Sequence, residues 1–230
     1  MRITVSGTAN QGKSTFIQDF IEEWPKYTTP ETTYRDIIKK RGHSDQTDED
    51  LQMDIINFMI DDLQKWRPKT KVIMDRSPLD ALVYSLWAHD KGKISGKFID
   101  KIIPIIRNSM SFIDLIFFTP ITNVHKIPIE DDGLRQTNEE YINEIDAIFK
   151  ALVDQYHAPR SVFFDKDDRP ALIEIFGSRE ERIQMVKMYL DTDGDPIADG
   201  QGIIDPEEVD ELYEAFKSGS FKKHNEIIIP

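Results

Sequence analysis

A nine-residue segment near the start of the chain constrains the fold more than any other part of the sequence. It matches the pattern G-x-x-x-x-G-K-[ST], with the residues Gly7, Thr8, Ala9, Asn10, Gln11, Gly12, Lys13, Ser14 and Thr15. A β-branched run at residues 3–5 precedes it, and residues 14–24 have a helical pattern. In a strand–loop–helix setting, such a segment wraps backbone N–H groups around a phosphate at the helix N-terminus. This phosphate loop, residues 7–15, therefore predicts a binding site for a nucleoside triphosphate.

Two side chains of the phosphate loop have expected roles. Lys13 is expected to reach the β- and γ-phosphates, and the Ser14 hydroxyl is expected to hold Mg²⁺. The segment thus predicts ATP and Mg²⁺ as cofactors.

Short apolar runs alternate with helical patterns through the first 165 residues. Strands are predicted at residues 3–5, 27–29, 72–74, 115–118 and 161–164, with helices at 14–24, 33–40, 50–66, 79–89, 98–106 and 138–156. Such alternation predicts an α/β fold whose parallel sheet is covered by helices on both faces. Ligands bind at the carboxyl ends of the strands in sheets of this kind.

Composition excludes several classes of protein. The chain has 230 residues, a formal net charge of −13 and no cysteine, so there is no disulfide framework and no Cys-based zinc site. The negative charge argues against a surface that binds nucleic acid over its whole area, although a local basic cleft stays open. No apolar run approaches the roughly 20 residues of a membrane helix. Since no signal peptide is recognisable either, we expect a cytoplasmic protein without a membrane partner.

Asp75 and Arg76 come directly after the third predicted strand. A carboxylate at that position, beside a phosphate loop, is well placed to hold Mg²⁺ directly or through water. Arg76 could neutralise phosphate charge or orient the acceptor. An ordinary surface ion pair is the alternative, but the neighbouring phosphate loop favours a catalytic role for both residues.

Glu31 and Arg35 follow the second predicted strand. Glu31 could accept the proton of an attacking hydroxyl, and Arg35 could bind an anionic part of the acceptor. A helix-capping acid with an exposed basic partner one turn later is the alternative. We predict Glu31, Arg35 and Arg76 as the residues that bind the acceptor.

A long polar segment, residues 119–137, is predicted to be a lid. Connections of this length inside a compact domain are usually lids or binding loops. Arg135 could move over the triphosphate and stabilise charge during transfer, with Lys126 as a weaker candidate.

The last forty residues differ from the rest of the chain. We predict a phosphate-loop domain at residues 1–190 and an acidic extension at 191–230, with one helix at 206–216. The spacing of Asp191, Asp193 and Asp195 is like that of a calcium loop, but Pro196 stands where glycine is needed. A solvated acidic turn is therefore favoured.

Together, these motifs resemble the nucleoside and nucleotide kinases of the P-loop superfamily. The chain looks most like the thymidylate-kinase-like and nicotinamide-riboside-kinase-like branch that bacteriophages often encode. The matching stretches are residues 7–15, residues 30–31 with Arg35, residues 72–84 and residues 132–135. The resemblance implies a three-layer P-loop NTPase fold with a five-stranded parallel sheet and a helical lid.

The resemblance also implies roles for individual residues. These are Lys13 and Ser14 on ATP·Mg²⁺, Asp75 near the metal, Arg76 and Glu31 toward the acceptor, and Arg135 in the lid. Thymidylate kinases usually have an aromatic residue or histidine after Asp-Arg, and deoxynucleoside kinases usually have Glu-Arg-Ser. Ser77, which follows Asp75-Arg76 here, therefore leaves the acceptor open.

The sequence predicts an ATP- and Mg²⁺-dependent kinase that transfers a phosphoryl group to a nucleoside or nucleotide. One alternative is a kinase that acts on 5-hydroxymethyluracil in phage DNA, with DNA as the partner. A second is a regulatory P-loop ATPase without a small-molecule acceptor. The sequence leaves a homodimer open, and a phage-encoded protein would act in the cytoplasm of the host cell.

Overall fold

Strands and helices alternate in the computed structural model, which describes residues 1–41, 48–66, 71–122, 138–158, 164 and 169–197. The chain divides into two compact units, Met1–Val186 and Lys187–Pro230. The elements of the first unit, in chain order, are β1 (Arg2–Ser6), α1 (Lys13–Glu23), α2 (Tyr34–Arg41), α3 (Glu49–Trp66), β2 (Val72–Asp75), α4 (Pro78–Asp90), α5 (Gly96–Met110), β3 (Leu115–Phe118), α6 (Glu139–His157), β4 (Ala171–Glu174) and α7 (Arg179–Val186).

The four strands form one parallel sheet with the order β2-β1-β3-β4. Strand β1, which leads into the phosphate loop, is flanked on both sides. Val5 pairs with Asp75 of β2 and with Phe117 of β3. Because parallel strands end at the same edge, the segments after β1 and β2 meet there.

Helices cover both faces of this sheet. Phe117 and Phe118 are consecutive residues of β3, so their side chains point to opposite faces. The Phe117 ring contacts Phe16 and Phe20 of α1, whereas the Phe118 ring stacks on Phe149 of α6. All five aromatic side chains are buried. The predicted α/β architecture, a parallel sheet between helical layers, is confirmed.

The second predicted strand is reduced to a single bridge. Thr28 pairs in parallel with Val72 at the outer side of β2. The Thr28 N–H donates to the Lys71 carbonyl at 3.1 Å, and the Ile73 N–H donates to the Thr28 carbonyl at 2.9 Å. Pro30 follows two residues later and has no N–H with which to continue the ladder. The expectation of five strands is therefore wrong for the described residues, in which four strands are present.

The last predicted strand, residues 161–164, stays a prediction, because residues 161–163 lie outside the described residues. Phe164 is buried and belongs to no described strand. The described sheet also contains a strand that was not predicted, β4 (Ala171–Glu174), which pairs with β3. Alanine and glutamate are weak strand formers and the segment has only four residues, so its sequence gives little sign of a strand.

The helices of the first unit agree closely with the predicted ones up to α6. Helix α4 begins at a buried capping box, in which Ser77 accepts from the Leu79 N–H and Asp80 accepts from the Ser77 N–H. Helix α6 is capped by Asn138, whose side chain accepts from the Glu140 N–H at 2.8 Å. The predicted helix at 206–216 lies outside the described residues. Helix α7 was not predicted.

The described part of the second unit contains the acidic turn. The Asp191 carboxylate accepts from the backbone N–H groups of Asp193 and Asp195 at 2.8 and 2.9 Å. An Asx-type turn of this kind uses the carboxylate within its own loop. Within the described residues of the chain, no group of three or more acidic or histidine side chains is arranged to hold a metal. None of the described helices is long and apolar enough to span a membrane.

The aromatic contacts under the sheet give a stability prediction. Phe20 is 0% exposed and packs against Trp24 and Tyr27 as well as Phe117. We expect Phe20→Ala to lower the free energy of unfolding by about 3–5 kcal/mol, because it leaves a cavity that cannot close fully. Urea unfolding measures the loss. The matched control is Phe176→Ala, where the ring is 40% exposed, and its effect should stay within about 0.5 kcal/mol. Equal losses in the two variants would contradict the packing described above.

Candidate functional site

The phosphate loop begins where β1 ends, and its first residue has no room for a side chain. Gly7 has φ of +140°, a conformation in which a Cβ would lie 2.5 Å from Thr119 Oγ1 and 2.7 Å from the Thr119 carbonyl oxygen. The close approach comes from β3, since Thr119 follows that strand and its N–H donates to the Ser6 carbonyl at 3.0 Å. Only glycine satisfies both the backbone angle and this contact.

The lysine of the loop is already directed inward. Lys13 is buried, and its ammonium group donates to the Thr8 carbonyl across the loop. The Thr8 hydroxyl in turn donates to the Ile142 carbonyl of α6 at 3.3 Å. The loop thus has a positive charge inside it and is fixed to a neighbouring helix. This arrangement suits a bound phosphate, whose negative charge the lysine and the helix N-terminus would both favour.

Arg76 connects the phosphate loop to α4. Its Nη1 donates to Asp80 Oδ1 at 3.1 Å and to the Gly7 carbonyl at 3.4 Å, and its Nη2 donates to Tyr84 Oη at 3.0 Å. The guanidinium carbon lies 4.9 Å from the centre of the Tyr34 ring and 4.8 Å from that of Tyr84. Arg76 therefore lies between two aromatic rings and forms a buried ion pair with Asp80.

Arg76 is unusual in both its backbone conformation and its pKa. It has φ of +77°, which is uncommon for a residue with a side chain, and strain of this kind is often found at functional sites. Burial alone would lower the pKa of the guanidinium, but Tyr34, Tyr84, Asp80 and Asp75 raise it well above its ordinary value. Arg76 is thus a permanent positive charge at the carboxyl edge of the sheet.

Ser14 and Asp75, the two predicted metal ligands, both contact Arg35. Its Nη2 lies 3.2 Å from Asp75 Oδ2 and 3.5 Å from Ser14 Oγ. Asp75 is therefore paired with Arg35 of α2 and not with its neighbour Arg76 in the chain. The Ser14 hydroxyl and the Asp75 carboxylate thus both contact the same nitrogen of Arg35.

The residues at this point fit Mg²⁺. The second oxygen of Asp75, Oδ1, is buried and has no hydrogen-bond partner among the described residues. A carboxylate oxygen and a hydroxyl are the hard ligands that Mg²⁺ takes, with water and substrate phosphates completing its octahedron. Ser14 and Asp75 would therefore hold the ion.

A cleft opens beside Asp75 and Arg76. Its lining comes from the segment before α2, from α3 and from the end of β2, and consists of Thr29, Pro30, Thr32, Thr33, Tyr34, Phe58, Met59, Asp62, Leu63, Met74, Asp75, Arg76 and Pro78. The lining thus combines hydroxyl groups, aromatic and aliphatic surfaces, and charges of both signs. Such a mixture is typical of a small-molecule site. We call it the acceptor cleft.

Asp62 is a carboxylate in the wall of the acceptor cleft. One of its oxygens, Oδ1, accepts from the Trp66 indole N–H at 3.2 Å. Partial burial raises the pKa of Asp62 above its ordinary value, against the opposite effect of Trp66 and Lys65. A desolvated carboxylate in a pocket wall is a strong acceptor for an N–H or O–H group of a ligand.

Some predicted residues are not brought to the site. Glu31 is exposed and does not line the acceptor cleft, although Pro30 and Thr32 on either side of it do. Arg135 and Lys126 lie outside the described residues, as does most of the predicted lid at 119–137. Their roles stay predictions.

Three polar residues that were not predicted lie near the predicted ones. Asp80 accepts from Arg76 and the Gly7 N–H, Asp62 lines the cleft, and Arg182 of α7 donates to the Gln11 carbonyl of the phosphate loop. Asp80 could have been found, because the spacing of Ser77 and Asp80 is that of a capping box. No local pattern marks the other two.

A comparison with family models identifies the class of protein. Residues 2–169 match a family model described as an AAA domain. The match covers most of the chain, so the chain belongs to this AAA-domain family. No curated protein matches the sequence.

Solved structures with similar folds include a nucleoside kinase and a nucleotide kinase. The structure is similar to deoxyadenosine kinase from M. mycoides with a TM-score of 0.59 at 12% identity, covering 81% of this chain and 96% of that one. Thymidylate kinase from Candida albicans gives 0.57 at 14% identity, covering 86% and 95%. The NadR protein in complex with NR gives 0.58 at 19% identity, covering 82% of this chain and 51% of NadR. At these identities the likeness concerns the fold, and the predicted resemblance to P-loop nucleoside and nucleotide kinases is confirmed at that level.

The contact between Gly7 and Thr119 gives a prediction for the phosphate loop. We expect Gly7→Ala to weaken binding of a non-hydrolysable ATP analogue about tenfold or more, because the added Cβ must displace β3 or the loop. Isothermal titration calorimetry measures the affinity. Gly92→Ala is the matched control, since Gly92 also has a positive φ but a Cβ added there would meet nothing within 4 Å. Nucleotide binding by Gly7→Ala at the level of the Gly92→Ala variant would contradict the prediction.

Proposed function

We propose that this chain is an ATP- and Mg²⁺-dependent kinase that transfers the γ-phosphoryl group of ATP to a nucleoside or nucleotide. The observation that carries the proposal is the meeting of three groups at one edge of the sheet. Ser14 of the phosphate loop and Asp75 both contact Arg35, and the acceptor cleft opens at Asp75. A donor site and a separate acceptor site that meet at one carboxylate are what phosphoryl transfer requires.

On the donor side, the chain holds and neutralises the phosphates. Backbone N–H groups of the phosphate loop and the Lys13 ammonium bind the β- and γ-phosphates, and Ser14 and Asp75 hold Mg²⁺. The metal supplies neutralisation of the charge that develops on the phosphate oxygens. Arg135, from the predicted lid, would add a further positive charge.

On the acceptor side, the cleft positions the attacking hydroxyl. Tyr34 and Phe58 offer flat apolar surfaces for a base, and Asp62 offers a carboxylate for its N–H groups or for sugar hydroxyls. Arg76 lines the cleft and contacts Gly7. Arg35 contacts both Asp75 of the cleft and Ser14 of the phosphate loop. Either arginine could bind an anionic acceptor or the transferring group. Glu31 is exposed and outside the lining of the cleft, so its role as acceptor of the hydroxyl proton stays a prediction from the sequence.

The proposal predicts acceptor-dependent phosphoryl transfer. With radiolabelled ATP and Mg²⁺, at least one member of a panel of ribonucleosides, deoxynucleosides, nicotinamide riboside and nucleoside monophosphates should become labelled. Lys13→Ala should abolish the transfer, because it removes the charge that binds the β- and γ-phosphates. Thin-layer chromatography of the products measures both results.

Other outcomes of this assay separate the alternatives. Labelling of 5-hydroxymethyluracil DNA alone, lost at high salt, would favour a DNA kinase. The basic runs at residues 39–41 and 222–224 are the segments that could contact DNA, and of their side chains only that of Lys39 lies within the described residues. ATP hydrolysis that no acceptor changes would contradict the kinase and favour a regulatory ATPase.

The proposed metal site predicts a change in magnesium dependence. We expect Asp75→Asn to raise the Mg²⁺ concentration for half-maximal activity about 10–100-fold, because an amide is a weaker ligand than a carboxylate. Binding of Mn²⁺ in the presence of an ATP analogue, followed by electron paramagnetic resonance, gives a second measurement. Asp114→Asn is the control, since Asp114 pairs with Arg2 before β3, at the opposite edge of the sheet. An unchanged metal requirement in Asp75→Asn would remove Asp75 from the metal site.

A further inference from the structure

A buried arginine lies behind the phosphate loop and has no assigned role. Arg182 of α7 is 6% exposed, and its Nη1 donates to the Gln11 carbonyl at 2.7 Å. Its Nε donates to the Gly177 carbonyl at 3.2 Å. Arg182 lies beyond residues 2–169, which the family model covers, so membership of the family assigns it nothing.

The contact with Gln11 fixes the direction of a peptide group inside the loop. No peptide bond in the described residues is cis, so the Gln11 carbonyl and the Gly12 N–H point in opposite directions. By holding this carbonyl, Arg182 also fixes the Gly12 N–H, which points away from the arginine and is free of this contact to face a bound phosphate. In the same way, the hydrogen bond from Lys13 to the Thr8 carbonyl fixes the orientation of the peptide group between Thr8 and Ala9.

The positive charge of Arg182 is contacted by backbone carbonyls and not by a carboxylate of the described residues. Within the described residues, no carboxylate oxygen lies within ion-pair distance of its guanidinium, which donates there to two backbone carbonyls. Burial lowers its pKa, while Asp19 raises it. Arginine nevertheless stays protonated in proteins. A buried positive charge next to the phosphate loop favours a polyphosphate, because the low local dielectric strengthens the attraction.

We propose that Arg182 is a positioning residue of the donor site, which presets the phosphate loop and adds positive charge behind it for a nucleoside triphosphate. The inference rests on the nucleotide site of the proposed function, but it does not depend on the acceptor. A purely structural role, in which Arg182 only attaches α7 to the rest of the unit, is the competing explanation.

Arg179 provides a matched control for that explanation. It belongs to the same helix and forms a salt bridge with Asp19 of α1, with Nε 3.0 Å from Asp19 Oδ2. Its side chain is 65% exposed and is directed to α1 by this pair. Arg179 thus joins α7 to α1 through Asp19, whereas Arg182 joins α7 to the phosphate loop.

The test compares Arg182→Met with Arg179→Met. We expect Arg182→Met to raise the Kd for a non-hydrolysable ATP analogue about tenfold or more, because a hydrogen bond from a charged donor is lost inside the loop. Arg179→Met should change the same Kd less than about twofold, as expected for an exposed ion pair. In the active enzyme, Arg182→Met should raise the KM for ATP and leave the KM for the acceptor unchanged. Urea unfolding of both variants measures the structural contribution separately.

The conservative variant Arg182→Lys keeps the proposal testable if Arg182→Met does not fold. Lysine retains the charge, but its single ammonium cannot reproduce the two-point contact with Gln11 and Gly177. Its Kd should rise about threefold or more and lie between those of wild type and Arg182→Met. A wild-type Kd in either Arg182 variant, with or without a loss of stability, would overturn the proposal.

Failure of the proposed function gives a different result. If the wild-type protein binds the ATP analogue but phosphorylates no acceptor, the kinase proposal fails, and the comparison of Kd values still decides the role of Arg182. If the wild-type protein binds no nucleoside triphosphate, both proposals are overturned.

Discussion

The parallel pairing of β1 with β2 is the constraint on which the site depends. Val5 lies opposite Asp75, and the Arg76 N–H donates to the Val5 carbonyl at 3.0 Å. Because the two strands end together, the phosphate loop and the Asp75-Arg76 pair leave the sheet side by side. A shift of one residue in this register would turn the side chains of β2 to the opposite face. The buried packing on both faces of the sheet opposes such a shift.

A buried ion pair then holds the phosphate loop against the start of α4. Arg76 and Asp80 are both removed from water, and an isolated charge there would be costly. Asp80 compensates by accepting from Arg76, Gly7 and Ser77, so one carboxylate joins the phosphate loop to the start of α4. The ion pair is best understood as a device that specifies geometry. Its net contribution to stability is small once the cost of desolvation is counted.

The phosphate loop and the residues beside it could be located from the sequence, whereas most of the cleft wall could not, for a physical reason. The phosphate loop is local, because its glycines and lysine act within nine consecutive residues. Asp75 and Arg35 were also found, since each follows a recognisable strand or turn. Asp62 and Arg182, by contrast, reach the site only through the packing of α3 and α7, which no short pattern encodes. Strand β4 was missed for a similar reason, because pairing with β3 overrides its weak propensity.

The single bridge at Thr28 leaves one wall of the cleft free to change in sequence during evolution. The phosphate loop follows β1, which is paired with a strand on each side. The cleft wall at residues 29–34, by contrast, follows Thr28, which is joined to the edge of the sheet by a single bridge. Among the described residues, no backbone hydrogen bond joins residues 29–32 to the sheet, so exchange of this stretch disturbs the strands little. On the proposed function, evolution can change the molecule that receives the phosphate without rebuilding the machinery that delivers it.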